Sequence, residues 1–159
     1  PFNKKHINKK LFSTSKKIKI LVASHCLMDS PHAFGSWQFT DFSEWLEFLG
    51  KISNRTNYEW YIKPHPNDIK LNSEYINSFL KRYNKFKLIE SFTSHYSLKK
   101  EIDYVVTVWG NIAMDLALLD MPVINTHPKG RFANFNFNYN PKTIKKFKNI
   151  LLNLKKKII

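Results

Sequence analysis

Ile102-Asp103-Tyr104-Val105-Val106-Thr107-Val108-Trp109-Gly110-Asn111-Ile112 is the stretch on which the fold turns. Its first seven residues are mostly β-branched or aromatic and offer apolar side chains to both faces, the pattern of a central strand in a parallel sheet. Trp109-Gly110-Asn111 interrupts the run, and Ile112 to Leu119 continues with helical spacing. A buried strand passing through a glycine turn into a helix is the repeating unit of an α/β sheet.

The same alternation extends outward from it. Upstream, Ile18 to Ala23 reads as a first buried strand, followed by a polar loop from Ser24 to Trp37 and a helix from Phe39 to Leu49 stopped by Gly50. Tyr58 to Ile62 reads as a second strand, ending in Lys63-Pro64-His65-Pro66-Asn67, where two prolines forbid further ladder pairing. A helix from Ser73 to Tyr83, a short strand from Phe86 to Ile89 and a brief helical piece after Ser94 complete the upstream half. Downstream come the strand Pro122 to Ile124 and a closing amphipathic helix from Thr143 to Ile158, with lysines opposite its apolar stripe. The expected fold is α/β: a Rossmann-like open parallel sheet of about five strands with helices on both faces. Such sheets bind ligands beyond the carboxyl ends of their strands, so the loops after the first, second and fourth strands should meet at one crevice.

A chain of 159 residues, 43% hydrophobic, can bury one core and not two. Residues 1–15 read as a polar, lysine-rich lead-in from a preceding N-terminal domain, and 16–159 as the sheet domain. Cys26 is the sole cysteine, which excludes a disulfide framework and a multi-cysteine zinc site and points to a reducing, cytoplasmic setting. No apolar run approaches the roughly 20 residues of a membrane span. The formal charge of +14 is almost all lysine, with arginine only at Arg55, Arg82 and Arg131. Base-reading surfaces favour the arginine fork, so nucleic acid is not expected as a partner. An anionic small ligand, or peripheral contact with an anionic membrane at the inner face of the plasma membrane, fits better.

Several residues can carry chemistry at the expected crevice. His65, held with Pro66 on a proline-locked turn, can donate to a phosphate oxygen, and Lys63 can add a point charge. Thr107, Gly110 and Asn111 form a turn whose small residue admits a ligand close to the backbone, and Asp115, one turn on, reads either as a partner for a sugar or ribose hydroxyl or as a solvated helical acid. Asp29 can serve as a general base that takes the proton of a hydroxyl group, and the alternative is a capping or turn role. His25 and His32 are further candidates, but with Asp29 they fall short of a metal set, so no metal or other cofactor is expected. GxxxxGK[ST], GxGxxG and GxSxG are all absent, which disfavours P-loop ATPases, ordinary NAD enzymes and α/β-hydrolases. His127-Pro128 with Lys129-Gly130-Arg131 reads as an ordinary basic loop.

The strand Lys17-Ile18-Lys19-Ile20-Leu21-Val22-Ala23, then Lys63-Pro64-His65-Pro66, then Val105 to Asp115 and Met121-Pro122-Val123-Ile124-Asn125, taken in order, resemble the C-terminal, donor-binding domain of GT-B glycosyltransferases of bacterial capsular and surface polysaccharide synthesis. The resemblance covers roughly Phe12 to Ile150. It implies half of a GT-B fold and a nucleotide-sugar donor, CMP- or UDP-linked, with a glycan or glycolipid acceptor bound through another domain. It also implies that His65 and Pro66, as the HP motif, contact the donor phosphate, and that Thr107, Gly110 and Asn111 occupy the turn that holds it. A polyol-phosphate transferase of the CDP-glycerol type has the same architecture and stays open as an alternative, as does a non-catalytic basic module that binds membrane or nucleic acid.

Overall fold

The computed structural model describes residues 12–66 and 70–156. Among these, strands and helices alternate in the order β1 (Lys19–Ala23), α1 (Phe42–Ser53), β2 (Glu59–Lys63), α2 (Lys70–Arg82), β3 (Phe86–Leu88), α3 (His95–Lys99), β4 (Tyr104–Thr107), α4 (Ile112–Ala117), β5 (Val123–Asn125), β6 (Asn138–Tyr139) and α5 (Ile144–Leu152). The six strands form one sheet in the order β3-β2-β1-β4-β5-β6, every pair parallel. That is the doubly wound, Rossmann-like arrangement, and it reverses direction between β1 and β4.

Alternating side chains along each strand divide the core into two layers. Ile20, Val22, Trp60, Ile62, Val106 and Ile124 point to one face, where they meet Trp45, Leu46 and Leu49 of α1, Phe79 of α2 and Phe147 and Leu151 of α5. Leu21, Ala23, Tyr61, Val105 and Val123 point to the other, against Leu98 of α3 and Ala113 and Leu116 of α4. The second layer is covered by helices of only five and six residues, supplemented by loop side chains such as Ile89, Met121 and Phe132.

Boundaries differ from the sequence expectation where a specific contact overrides periodicity. Asp41 caps α1 by accepting the Glu44 N–H at 2.8 Å, while the Glu44 carboxylate accepts the Thr40 N–H at 2.6 Å, so the helix begins at Phe42 rather than Phe39. Phe39 instead packs before the helix, edge-on to Trp37. Gly50 does not stop the helix, which runs on to Ser53. α2 starts at Lys70, three residues before the expected Ser73, and the turn at Asn67 lies outside the described residues. β6 is a sixth strand that no periodicity announces, since it consists of Asn138 and Tyr139 alone. α5 ends at Leu152, because the following chain is pinned to the sheet instead of coiling on. There the Lys155 carbonyl accepts the Tyr104 hydroxyl at 2.9 Å and the Lys156 ammonium meets Asp103 at 2.7 Å. Ile158, the expected helix end, falls outside the described residues.

Most of the expected lead-in, residues 1–11, also lies outside them. Its last part rests on β2: Phe12 lies 5.0 Å from the Tyr61 ring, and the Ser13 and Ser15 hydroxyls donate to Glu59 at 2.7 and 3.0 Å.

Gly50 is fixed by the Tyr83 ring, whose Cε2 would stand 2.5 Å from a Cβ at this position. In an unobstructed helix interior, replacing glycine by alanine stabilises by about 1 kcal/mol. Here Gly50→Ala should instead destabilise by about 1–3 kcal/mol through overpacking, read from urea unfolding. In a Tyr83→Ser background the same substitution should turn neutral or stabilising. A stabilising Gly50→Ala in the parent would refute the close packing.

Candidate functional site

Where the strand order reverses, the carboxyl ends of β1 and β4 open onto a cleft of about 480 Å³. Five strand exits feed it. Ser24, His25 and Asp29 follow β1, Lys63 to Pro66 end and follow β2, and Ser91 to Thr93 with His95 follow β3. Thr107 and the turn Trp109 to Ile112 come from β4, and Arg131 from the loop after β5. His65 and Gly110, far apart in sequence, therefore line one wall-to-wall space.

His25 is the pin between the first and fourth exits. It is buried, its ring stacked on Phe42 at 4.7 Å, and its Nε2 accepts the Trp109 N–H at 3.3 Å. An acceptor at Nε2 must be the neutral imidazole, with the proton on Nδ1. Burial first, and His65 nearby second, lower the His25 pKa from 6.5 to about 3, so it stays neutral under all ordinary conditions. This places His25 in the cleft as the group that positions Gly110, which lies against its ring.

A second group of lining residues, centred on Lys63 deep in the cleft, carries charge. Lys63 is buried, its ammonium donating to the Ser91 carbonyl, and burial lowers its pKa. His95 is buried beside it with Nδ1 4.0 Å from the Asp115 carboxylate. Burial and the Lys63 charge outweigh Asp115 and bring the His95 pKa down to about 4. Asp115 thus faces an imidazole while it lines the cleft.

At the turn after β4 the N–H groups of Gly110, Asn111 and Ile112 find no acceptor among the described residues, although their neighbours do: Trp109 on His25, and Ala113 on the Gly110 carbonyl. Unfilled donors at the edge of a cleft favour an anionic oxygen. The Thr107 hydroxyl, buried at the cleft floor, is likewise without a partner among the described residues. Arg131 donates to the Asn111 side-chain oxygen and so holds a guanidinium at the mouth.

The stretch His127 to Arg131 is accordingly not an ordinary basic loop. His127 is fully buried, and Gly130 lies so close to Trp109 that an added Cβ would stand 2.8 Å from the Trp109 Cβ. A glycine that permits this approach brings Arg131 to the site. Arg131, His95, Ser91 and Trp109 escaped the sequence reading. The one available signal was Gly130, one of only four glycines in the chain, in the loop that follows β5.

Among the other candidates, Asp29 is exposed at the cleft margin, and its N–H closes a turn onto the Cys26 carbonyl at 3.0 Å. Pro66 is exposed on the lining. His32 is not part of the cleft: its Nε2 contacts the Thr40 carbonyl at 3.0 Å on the exposed loop before α1. Loop length alone could not reveal that this imidazole turns toward its own segment. Cys26 faces α2, where its sulfur accepts from Asn72 at 3.4 Å. No helix among the described residues is long and apolar enough to cross a membrane.

No family model and no curated protein matches this chain. Solved structures share its fold. KpsC of Thermosulfurimonas dismutans, described as a beta Kdo 2,4 transferase, superposes with a TM-score of 0.57 at 17% identity, over 85% of this chain and 41% of that one. A second KpsC structure from the same organism, described as a beta Kdo 2,7 transferase, gives 0.59 at 16% identity, over 87% and 45%. The chain thus spans less than half the length of either, and at these identities the likeness is one of fold.

The neutral histidines make stability depend on pH with a definite sign. Below about pH 6.5 the unfolded chain binds protons that folded His25 refuses down to about pH 3 and His95 down to about pH 4. Unfolding therefore takes up protons in this window, and stability falls as pH falls. Urea midpoints should drop between pH 6.5 and 5, before carboxylates contribute much, and His25→Gln should flatten that slope. An unchanged slope in the variant would contradict the burial of a neutral His25.

Proposed function

We propose that this chain is the donor-binding half of a glycosyltransferase of surface polysaccharide synthesis, and that its cleft holds the phosphate of a nucleotide-sugar. The observation that carries this reading is the gathering of His65, Lys63, Arg131 and three backbone N–H groups that have no acceptor among the described residues around one space at the switch point. That the KpsC structures sharing this fold are Kdo transferases supports glycosyl transfer as its activity.

In the proposed reaction the bond between the anomeric carbon and the phosphate oxygen breaks, and its electron pair leaves with the phosphate. Stabilising that oxygen is the task of the donors already aimed at the cleft, which need no reorganisation as charge develops. His65 donates a hydrogen bond from the rigid turn after β2. Lys63, tethered to the Ser91 carbonyl, contributes its positive field from the floor, and Arg131 closes on the anion from the mouth. The Thr107 hydroxyl and the Gly110 to Ile112 amides complete the cradle. An acceptor hydroxyl attacks the anomeric carbon and gives its proton to a base. Asp29, exposed at the margin, is the carboxylate of this chain placed to receive it, with the acceptor held by a further domain.

Calorimetric titration of CMP and UDP is the direct test. Each of His65→Ala and Arg131→Ala should weaken the tighter nucleotide by about 10- to 100-fold, the value of a hydrogen bond to a charged group. Affinity equal to the parent in both variants would remove the phosphate assignment. Turnover with CDP-glycerol, and none with sugar nucleotides, would reassign the cleft to polyol-phosphate transfer.

A further inference from the structure

Beyond Asp120 the chain holds no acidic residue, while residues 121–159 carry nine lysines and arginines. Of the described lysines there, only Lys156 meets a carboxylate, Asp103 at 2.7 Å. Lys129, Lys142, Lys145, Lys146, Lys148 and Lys155 have none within ion-pair distance among the described residues. Exposed lysines alone identify nothing, because water solvates them well.

What distinguishes this edge of the sheet is exposed apolar surface on the segment just before the lysine-rich start of α5, tied to it where the Asn140 side-chain amide donates to the Phe135 carbonyl at 3.1 Å. Phe135, Phe137 and Tyr139 remain 54, 42 and 50% exposed, and Ile144, in the first turn of α5, 40%. The rings of Phe135 and Phe137 stand 5.3 Å apart, and Phe135 leans at 6.4 Å on Phe132, which is buried in the core. The exposed pair is therefore anchored rather than dangling. It occupies the segment leading into β6, the last strand of the sheet, with Lys142, Lys145 and Lys146 following at the start of α5.

Aromatic rings prefer the headgroup level of a bilayer, and nearby lysines are drawn to anionic lipid. Single-stranded nucleic acid also combines cations with aromatic rings, but it needs ring faces open to stacking bases. Here Phe135 and Phe137 are turned on one another, with only 31° between their planes. We propose that the β6 edge, with the first turn of α5, docks on an anionic bilayer. Phe135 and Phe137 enter the boundary between headgroups and acyl chains, and Lys142, Lys145 and Lys146 lie over the anionic headgroups. None of these residues lines the cleft, so the proposal is independent of the donor reading.

Sedimentation with phosphatidylcholine vesicles, with and without phosphatidylglycerol, tests it. The parent should bind only the anionic vesicles and release as salt rises. The variant Lys142→Ala/Lys145→Ala/Lys146→Ala should bind roughly a hundredfold more weakly, at about fivefold per lysine. Phe135→Ser/Phe137→Ser should bind more weakly, and the binding that remains should still fall as salt rises. Unchanged thermal unfolding certifies the fold of each variant, and two sets of substitutions guard against failure of one. Equal binding by parent and both variants, indifference to phosphatidylglycerol, or tight binding to single-stranded DNA with none to vesicles would each overturn the proposal.

Discussion

Parallel pairing of β1 with β4, Leu21 opposite Val105 and Val22 opposite Val106, is the constraint from which the rest follows. With these two strands adjacent, the chain leaves β1 toward α1 on one face and leaves β4 toward α4 on the other. The two exits part above the sheet, and the space between them cannot be filled by either helix. His25 then fixes the width of that space by receiving the Trp109 amide. A fold chosen by burial of Val105, Val106 and Leu21 thereby yields a cleft, and at the cleft three backbone N–H groups have no acceptor among the described residues.

The electrostatics of the site reflect the same burial. His25 and His95 at the cleft are held neutral chiefly because burial penalises their charged forms, and burial lowers the pKa of His127 in the same direction. The positive field therefore comes from Lys63 and Arg131, one on the floor and one at the mouth. A ligand carrying negative charge would relieve the mutual exposure of these cations, whereas a neutral ligand would leave the buried Lys63 ammonium with the Ser91 carbonyl as its compensation.

Much of this organisation was legible in the residues. The run from Tyr104 to Thr107 announced a central strand because both of its faces are buried, and the proline-locked His65 turn announced a strand exit because proline cannot continue a ladder. What stayed hidden depended on contacts between distant segments. Gly50 reads as a helix stop and is in fact the seat of the Tyr83 ring. β6 has too few residues to show a period. Arg131 and His95 reach the cleft only because Gly130 tucks under Trp109 and because α3 packs beside α4, and neither relation is local in sequence. His32 fails for the opposite reason, a local bond to the Thr40 carbonyl that no spacing rule foresees.

The central claim is that this crevice receives an oxyanion on the amides of the turn after β4. Titrating the isotopically labelled protein with CMP and UDP while following backbone amide resonances tests it at the atoms concerned. The account predicts saturable downfield shifts at Gly110, Asn111 and Ile112, together with changes in the His65 imidazole signals. Shifts confined to other surfaces, with those three amides unmoved at saturation, would contradict it.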